Sequence, residues 1–443
     1  MGRRRFLQAI LLVLLTAVGR MGLAQPASSE WTAQVMGKFD TPATAQYSHV
    51  TLRGTGSRLT GTWGANTVSF SLDDGHVEIT LTDPSGEVVG QLRGKVGDGF
   101  FFGNGTVAPT RRPGAPATGE WNIISWTLTK AVEPPAAPKV YDYEPVSYYG
   151  IYSAAEPPVL HIFPGDTVNT RTMDAARDAK IPRHGNGGDV NVGPFYVEGA
   201  LPGDTLVVHL VKIRPNKLVG RQGSRFNQHA VTQAYALAAQ YDASFNGSWN
   251  QDVAKGIATL PPTPGLPHLT IALKPMLGCI SVAPAGEEQY RGTDLGPYGG
   301  NLDYNDNAQG TTMYFPVFHP GALLGMGDAH GAMGDGEVVG TGLETSVDVT
   351  FTVDLIKGYA TPQVRAETAD YLISFGVSGS VPESIQLATT QLAEWMKKDY
   401  KLNDSEVALL FGDVLQYDIT ELVDPHFDVV AKVPKKVLAT LNQ

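Results

Sequence analysis

The sequence predicts a mainly β protein: a small antiparallel β-sandwich or barrel, followed by a larger β-rich domain with a few helices. Three observations lead there. Apolar and polar residues alternate with a period of two in many short runs, as in half-buried strands. The chain of 443 residues holds 50 Gly and 30 Pro with no collagen-like period, so turns are frequent and long helical bundles are excluded. Only two stretches carry helix-start signals strong enough to place a helix. Hydrophobic residues make up 42% and charged ones 17%, which supplies a core and argues against a disordered chain.

Taken in order, residues 1–24 read as an address. Arg3-Arg4-Arg5 precedes the apolar run Phe6–Val18 and a small-residue site at Gly22-Leu23-Ala24. The order Arg3-Arg4-x-Phe6-Leu7 fits a twin-arginine export signal, with an ordinary secretory signal as the alternative. The run is short of the roughly 20 apolar residues of a membrane span, so no stable span is expected after processing. The expected location is exported, periplasmic or extracellular. Removing residues 1–24 takes away four Arg and no acid, leaving 29 basic against 44 acidic residues, a balance of −15. Such an acidic chain is a poor partner for nucleic acid.

Residues 25–130 are expected to form the small all-β domain. Strands are expected at 31–35, 47–52, 67–72, 76–81 and 121–128, with hairpin turns at Asp74-Gly75 and Ser85-Gly86. Its tryptophans are expected in the core. Residues 131–139 (AVEPPAAPK) read as a Pro/Ala-rich linker. Residues 140–443 then form the larger domain, in which Pro164-Gly165-Asp166 and Pro202-Gly203-Asp204 hint at a repeated turn–strand unit. Helices are expected near 229–241 and over 381–413. Ser380-Val-Pro-Glu383 and Asn403-Asp-Ser-Glu406 are capping boxes, and Ile385, Ala388, Leu392 and Trp395 share one face.

The chemistry is expected in three acidic, glycine-rich runs. In Gly327-Asp328-Ala329-His330-Gly331, Asp328 and His330 are two apart, a spacing that places both on one side of an extended chain and suits two ligands of one cation. Asp335 and Glu337 follow across a turn. The same run reads equally as a Gly/Asp-rich surface loop with a satisfied histidine. Upstream, oxygens alternate from Asn301 through Asp303 to Asn307 like a calcium loop, but Ala308 and Tyr314 stand where an EF-hand needs Gly and Glu. The third run contains Asp189 and Asn191. Imidazole with carboxylates suits a divalent metal, Zn above all, with Ca as a second ion. No P-loop, dinucleotide fingerprint, His-Glu-x-x-His or Gly-x-Ser-x-Gly occurs. The single cysteine, Cys279, excludes intrachain disulfides and sits in an apolar strand, where an inert thiol is expected; a Cys279 nucleophile is the alternative. His209 and His319 read as structural.

The runs GGDVNVGPFYVEGALPGDTL, PMLGCISVAPA, GPYGGNLDYND and TTMYFPVFHPGALLGMGDAHGAMGDGEVVGTGLE resemble the acetamidase/formamidase family over roughly residues 140–443. The resemblance implies a largely β fold, hydrolysis of a short amide to carboxylate and ammonia, metal ions on the acidic runs, and a homo-oligomer. Gly331 and Met333 depart from the family's usual Ala and Gln, which bears on the substrate more than on the reaction. Amide hydrolysis needs an activated water, a stabilised oxyanion and a proton for the leaving nitrogen. The expected metal ligands are Asp328, His330, Asp303 and Asp189. Glu337 is the expected general base and acid, with a further ligand as its alternative role. Asp335 is expected to orient His330, and Asn191 and Asn301 to bind the amide. The alternative to an enzyme is an exported binding protein whose larger domain is catalytically degenerate.

Overall fold

The computed structural model describes residues 28–41, 44–109, 121–174, 182–184, 188–242, 245 and 247–441. The export signal expected in residues 1–24 lies outside them. The chain divides into two compact units, Met1–Glu133 and Pro134–Gln443. The division falls inside the Pro/Ala-rich stretch, and residues 131–139 form neither helix nor strand.

The first unit is a closed barrel of eight strands in chain order: β1 Ser28–Gly37, β2 Gln46–Thr55, β3 Arg58–Trp63, β4 Asn66–Asp73, β5 His76–Thr82, β6 Val88–Val96, β7 Phe100–Val107 and β8 Asn122–Lys130. Every neighbour is antiparallel, and β8 closes on β1 from Trp31↔Lys130 to Gly37↔Ile124. Of sandwich and barrel, the barrel forms, which leaves no strand edge unpaired. Alternation sends Trp31, Trp63, Phe70, Phe101 and Trp126 inward. There the Trp31 and Phe70 rings lie 5.0 and 5.1 Å from Phe101, and Trp63 meets Trp126 edge-on at 6.5 Å. Asp74-Gly75 makes the β4–β5 turn with both residues left-handed, at φ 42° and 77°. The sequence pattern missed β3, β6 and β7 because glycines interrupt their alternation. Those glycines sit where neighbouring strands approach closely: a side chain at Gly61, Gly94 or Gly103 would run into the backbone of the next strand.

The second unit packs two sheets over one apolar core. One is a nine-stranded sheet that runs from Gln416–Glu421 at one edge, through Thr205–Pro215 and Val347–Ile356, to Val140–Asp142. The other is larger and centres on Leu324–His330, with Asn191–Val197 on one side and Met276–Ser281 on the other. Phe195 of the larger sheet meets Phe351 of the nine-stranded one at 5.2 Å. The two Pro-Gly-Asp turns are equivalent. Asp166 and Asp204 each accept from the backbone N–H three residues back, at Phe163 and Leu201, and from a distant N–H, at Lys139 and Gly358.

Three helices bear on the expectations. The helix expected near 229–241 shortens to α1, Gln233–Ala238, which is capped by Thr232 and buries no residue. α2, Val381–Tyr400, starts at Ser380, whose hydroxyl accepts from Glu383 N–H. The Glu383 carboxylate takes the Ser378 and Ser380 hydroxyls, so its box is half made. Ala388, Leu392 and Trp395 are buried on its inner face. That face closes onto the strand Tyr371–Ser378, where Gly376 leaves room for the Ser384 carbonyl and Ala388. α2 ends at Lys401, left-handed at φ 60°, and α3, Asp404–Val414, opens with the full Asn403/Glu406 box. No helix among the described residues is long and apolar enough to cross a membrane.

Candidate metal centre and active site

The strand Leu324–His330 is buried along its whole length and ends in the candidate ligands. Met276–Ser281 pairs with it so that Met276 faces His330 and Cys279 faces Gly327. The same strand pairs on its other side with Gly299–Asn301. The Gly278 carbonyl then accepts from Leu302 and Asp303 N–H, which turns Asp303 toward Asp328. Gly278 is required here, since a Cβ would press on Asp303 Oδ1 and Asp328 Oδ2.

These pairings converge on His330, which is wholly buried. Its Nε2 lies 3.0 Å from Asp303 Oδ1, 3.2 Å from Asp328 Oδ2 and 4.0 Å from Glu337 Oε1. Its Nδ1 lies 3.2 Å from Glu344 Oε1. Glu344 is the cross-strand partner of His330, and Gly342 keeps the space beside the ring clear. Three overlapping groups could each hold a cation: Asp303–Asp328–His330, His330–Glu337–Glu344 and Asp303–Glu337–Glu421. Within each, one ligand atom per residue falls inside 4.8 Å. Asp303, Asp328 and Glu337 all have left-handed backbones, at φ 40°, 45° and 43°. Such a conformation is costly for a non-glycine residue, and its repetition at three converging acids marks a site that over-determines their aim.

Electrostatics make the cluster a trap for positive charge. Burial, then the neighbouring acids, raises Asp189 to about 9, Glu421 to about 10 and Asp424 to about 8. Burial likewise raises Asp303 and carries Glu337 well above the usual carboxylate range. For His330, burial opposes protonation, but Glu344, Asp328 and Asp303 together hold its pKa well above the ordinary value. Asp303 Oδ2 and Glu421 Oε2 are buried without a hydrogen bond. Buried acceptors in such density are stable only with a cation or with protons, so this donor set fits a divalent metal.

The sequence candidates divide. Asp303, Asp328, His330 and Glu337 come together. Asp189 approaches the centre, feeling Asp328 and Asp303. Asn191 is wholly buried beside the Tyr152 hydroxyl, and neither end of its amide has a hydrogen bond of good geometry. Asn301 donates to Asp424 Oδ2 at 2.7 Å and accepts from the Cys279 thiol at 2.8 Å.

Asp335 is placed elsewhere. It is exposed and accepts from Asn305 Nδ2 at 2.6 Å, so Glu344 takes the orienting position at His330 that was expected of Asp335. The calcium-like run also diverges. Asp303 turns to His330, while Asn305 and Asp306 both face the Lys274 ammonium, so a second ion has no common focus there.

Pattern reading missed Glu344, Glu421 and Asp424. Glu344 follows Gly342-Leu343 in a two-residue strand with no periodicity to read. Glu421 ends Gln416–Glu421, bridges to Gly336 and accepts from the Val423 and Asp424 N–H groups. Only the long-range pairing reveals these two.

Cys279 is unsuited to attack. Burial first, then Asp328 and Asp189, raises its pKa well above the usual thiol value, so the thiolate is suppressed. His209 bonds Thr312 and Asp354 near the surface, and His319 bonds the Pro284 carbonyl; both are structural.

A model of the Acetamidase/Formamidase family matches residues 287–374, which carry Asp303, Asp328, His330, Glu337 and Glu344. The second unit is thus similar to the acetamidase/formamidase family over residues 287–374. The formamidase of Methylophilus methylotrophus is 24% identical, over 60% of this chain and 83% of its own. A predicted acetamidase/formamidase from Thermoanaerobacter tengcongensis superposes with a TM-score of 0.59 at 26% identity, covering 69% of this chain and 99% of that one. An acetamidase from Bacillus halodurans gives 0.58 at 25%, covering 68% and 100%. These solved structures correspond along nearly their full length to about two thirds of this chain.

Proposed function

We propose that this chain is an amidohydrolase that cleaves a short, formamide- or acetamide-like amide to carboxylate and ammonia at the Asp303–Asp328–His330 centre. The observation that carries the reading is the convergence of three left-handed acids on one buried imidazole, in a unit whose relatives are named formamidase and acetamidase. Asp303, Asp328 and His330 would hold a divalent cation, with Asp189 and Glu421 closing the set. Imidazole with carboxylates favours Zn. When bound, such an ion supplies Lewis acidity toward a carbonyl oxygen and lowers the pKa of a coordinated water to about 7.

The chain's own groups do the rest. Asn301 has a second amide hydrogen beyond the one given to Asp424, and it is donated to the substrate carbonyl oxygen. Asn191, whose amide beside the Tyr152 hydroxyl makes no hydrogen bond of good geometry, holds the substrate nitrogen. Glu337 takes a proton from the attacking water and returns it to the leaving nitrogen as the C–N bond breaks. Glu344 fixes the imidazole from Nδ1, so that Nε2 faces the other acids. The carboxylate product leaves an acidic site, which opposes its rebinding. The N-terminal Arg3-Arg4 motif supports export, and the family resemblance supports a homo-oligomer.

The test is ammonia release from formamide and acetamide, before and after chelation, with elemental analysis of the same samples. Chelation removes activity and Zn restores it; activity indifferent to complete metal removal defeats the reading. Glu337→Gln keeps the ion and loses about 10²–10⁴ in kcat, whereas loss of the ion moves Glu337 into the ligand set.

A further inference from the structure

The only thiol of the chain takes no part in the chemistry above, yet it lies against a group that does. Cys279 is wholly buried, and its partner across the ladder is Asn301. Its Sγ is 2.8 Å from Asn301 Oδ1, 3.1 Å from the Tyr152 hydroxyl and 3.5 Å from the Gly292 carbonyl. Tyr152 donates to that Gly292 carbonyl at 2.8 Å, which leaves the thiol hydrogen for Asn301. At the other end, Asn301 Nδ2 donates to Asp424 Oδ2 at 2.7 Å.

The two neighbours of this amide are chemically unlike. The thiol presents a hydrogen, so it calls for the amide oxygen. The carboxylate presents lone pairs, so it calls for the amide nitrogen. A flipped amide would set its oxygen against the Asp424 Oδ2 that now accepts from Nδ2, and would exchange the S–H donation for a contact to a weakly accepting sulfur.

We infer that Cys279 is a positioning residue for the amidase site: its S–H pins the Asn301 carbonyl, so that the Asn301 NH₂ faces Asp424 and the substrate. The inference rests on the reading of Asn301 as a substrate-holding amide. A thiol suits the place. It is a weak donor that is cheap to bury in an apolar strand, and of its two acceptors Asn301 Oδ1 at 2.8 Å is much nearer than the Gly292 carbonyl at 3.5 Å. The relay also joins the sheet to the loop after Glu421, because Asp424 belongs to that loop.

Two measurements test this on the full-length protein. With one cysteine in 443 residues, the infrared S–H stretching band belongs to one group. It is expected narrow and displaced to lower frequency than a free thiol, and to move back in Asn301→Ala. A band at the free-thiol position in the unmodified protein overturns the inference, and this readout needs no turnover. Failure of the hydrolysis reading is therefore told apart from failure of this one.

The second measurement is kinetic. Cys279→Ala is expected to raise KM for a short amide about tenfold with kcat held within about twofold. Cys279→Ser, which keeps a donor, returns KM to within about threefold of the parent. A thiol that merely fills space predicts the opposite order, because a hydroxyl is harder to bury than a methyl group. Serine performing no better than alanine overturns the assignment.

Discussion

The barrel and the second unit have interiors of opposite character. Inside the barrel, the buried side chains are apolar or aromatic: Trp31, Val50, Trp63, Phe70, Ile79, Leu92, Phe101 and Trp126. The second unit also has a large apolar core, but set beside it are Asp303, Asp328, His330, Glu337, Glu344, Glu421 and Asp428, all buried. Burying an apolar side chain stabilises a fold by about 1.5–3 kcal/mol, whereas a buried acid costs free energy unless it is paired. One interior is organised for stability alone, and the other gives up stability to hold charge in place.

The sharpest way to break that contrast is to exchange the outcomes of two substitutions. His330→Ala is expected to lower amide turnover by at least about 10³ while leaving cooperative unfolding of the metal-free protein no weaker than before. Trp126→Ala is expected to destabilise the barrel by about 3–5 kcal/mol, read as lost amide-exchange protection on β6 to β8. If His330→Ala weakens the metal-free fold as Trp126→Ala does, the two interiors do not differ as argued.

Next in size is Glu344→Gln, which keeps the shape but removes the charge at His330 Nδ1. Metal affinity is expected to fall about 10–100-fold by competition titration, and the same change in Asp335 should leave affinity unaltered.

The pH dependence sharpens the comparison further. Burial raises Asp428 to about 7 and Glu344 to about 7, and Asp424 and Asp189 higher still. A carboxyl whose folded pKa exceeds its unfolded one contributes stability that is complete below the unfolded value, near pH 4, and is lost as pH rises through the folded value. The metal-stripped protein should therefore melt at progressively lower temperature from about pH 4 upward through pH 7. Bound divalent cation should flatten the slope, because it replaces the protons. Hydrogen exchange confined to the barrel strands should show no such trend. The smallest effect belongs to a surface cap: Asn403→Ala removes the α3 box and costs about 1 kcal/mol, independent of pH and metal.

How much of this was readable beforehand follows the range of the forces involved. Local signals were reliable. Period-two alternation placed β1, β2, β4, β5 and β8; Asp74-Gly75 placed a hairpin; Ser380 and Asn403 placed helix starts within a residue. The acidic runs also offered Asp303, Asp328, His330 and Glu337 as candidates, although their spacing alone reads equally as a Gly/Asp-rich surface loop; what separates the two readings is the burial that the sheet imposes. Non-local pairing was not readable. Glu344 reaches His330 only through a two-residue bridge, and Glu421 arrives from the far end of the chain, so nothing near either residue marks it. Asp335 failed for the complementary reason: two residues from Glu337 in sequence, it is carried to the surface by the turn at Gly336, left-handed at φ 78°.

Closure of β8 onto β1 has a practical consequence. Trp31 and Lys130 are cross-strand neighbours, so the first unit's entry and exit points adjoin. A module with that property can be spliced into a surface turn of a host protein, or cut out of this one, with little demand on the surrounding backbone. It can be treated as a transplantable cassette.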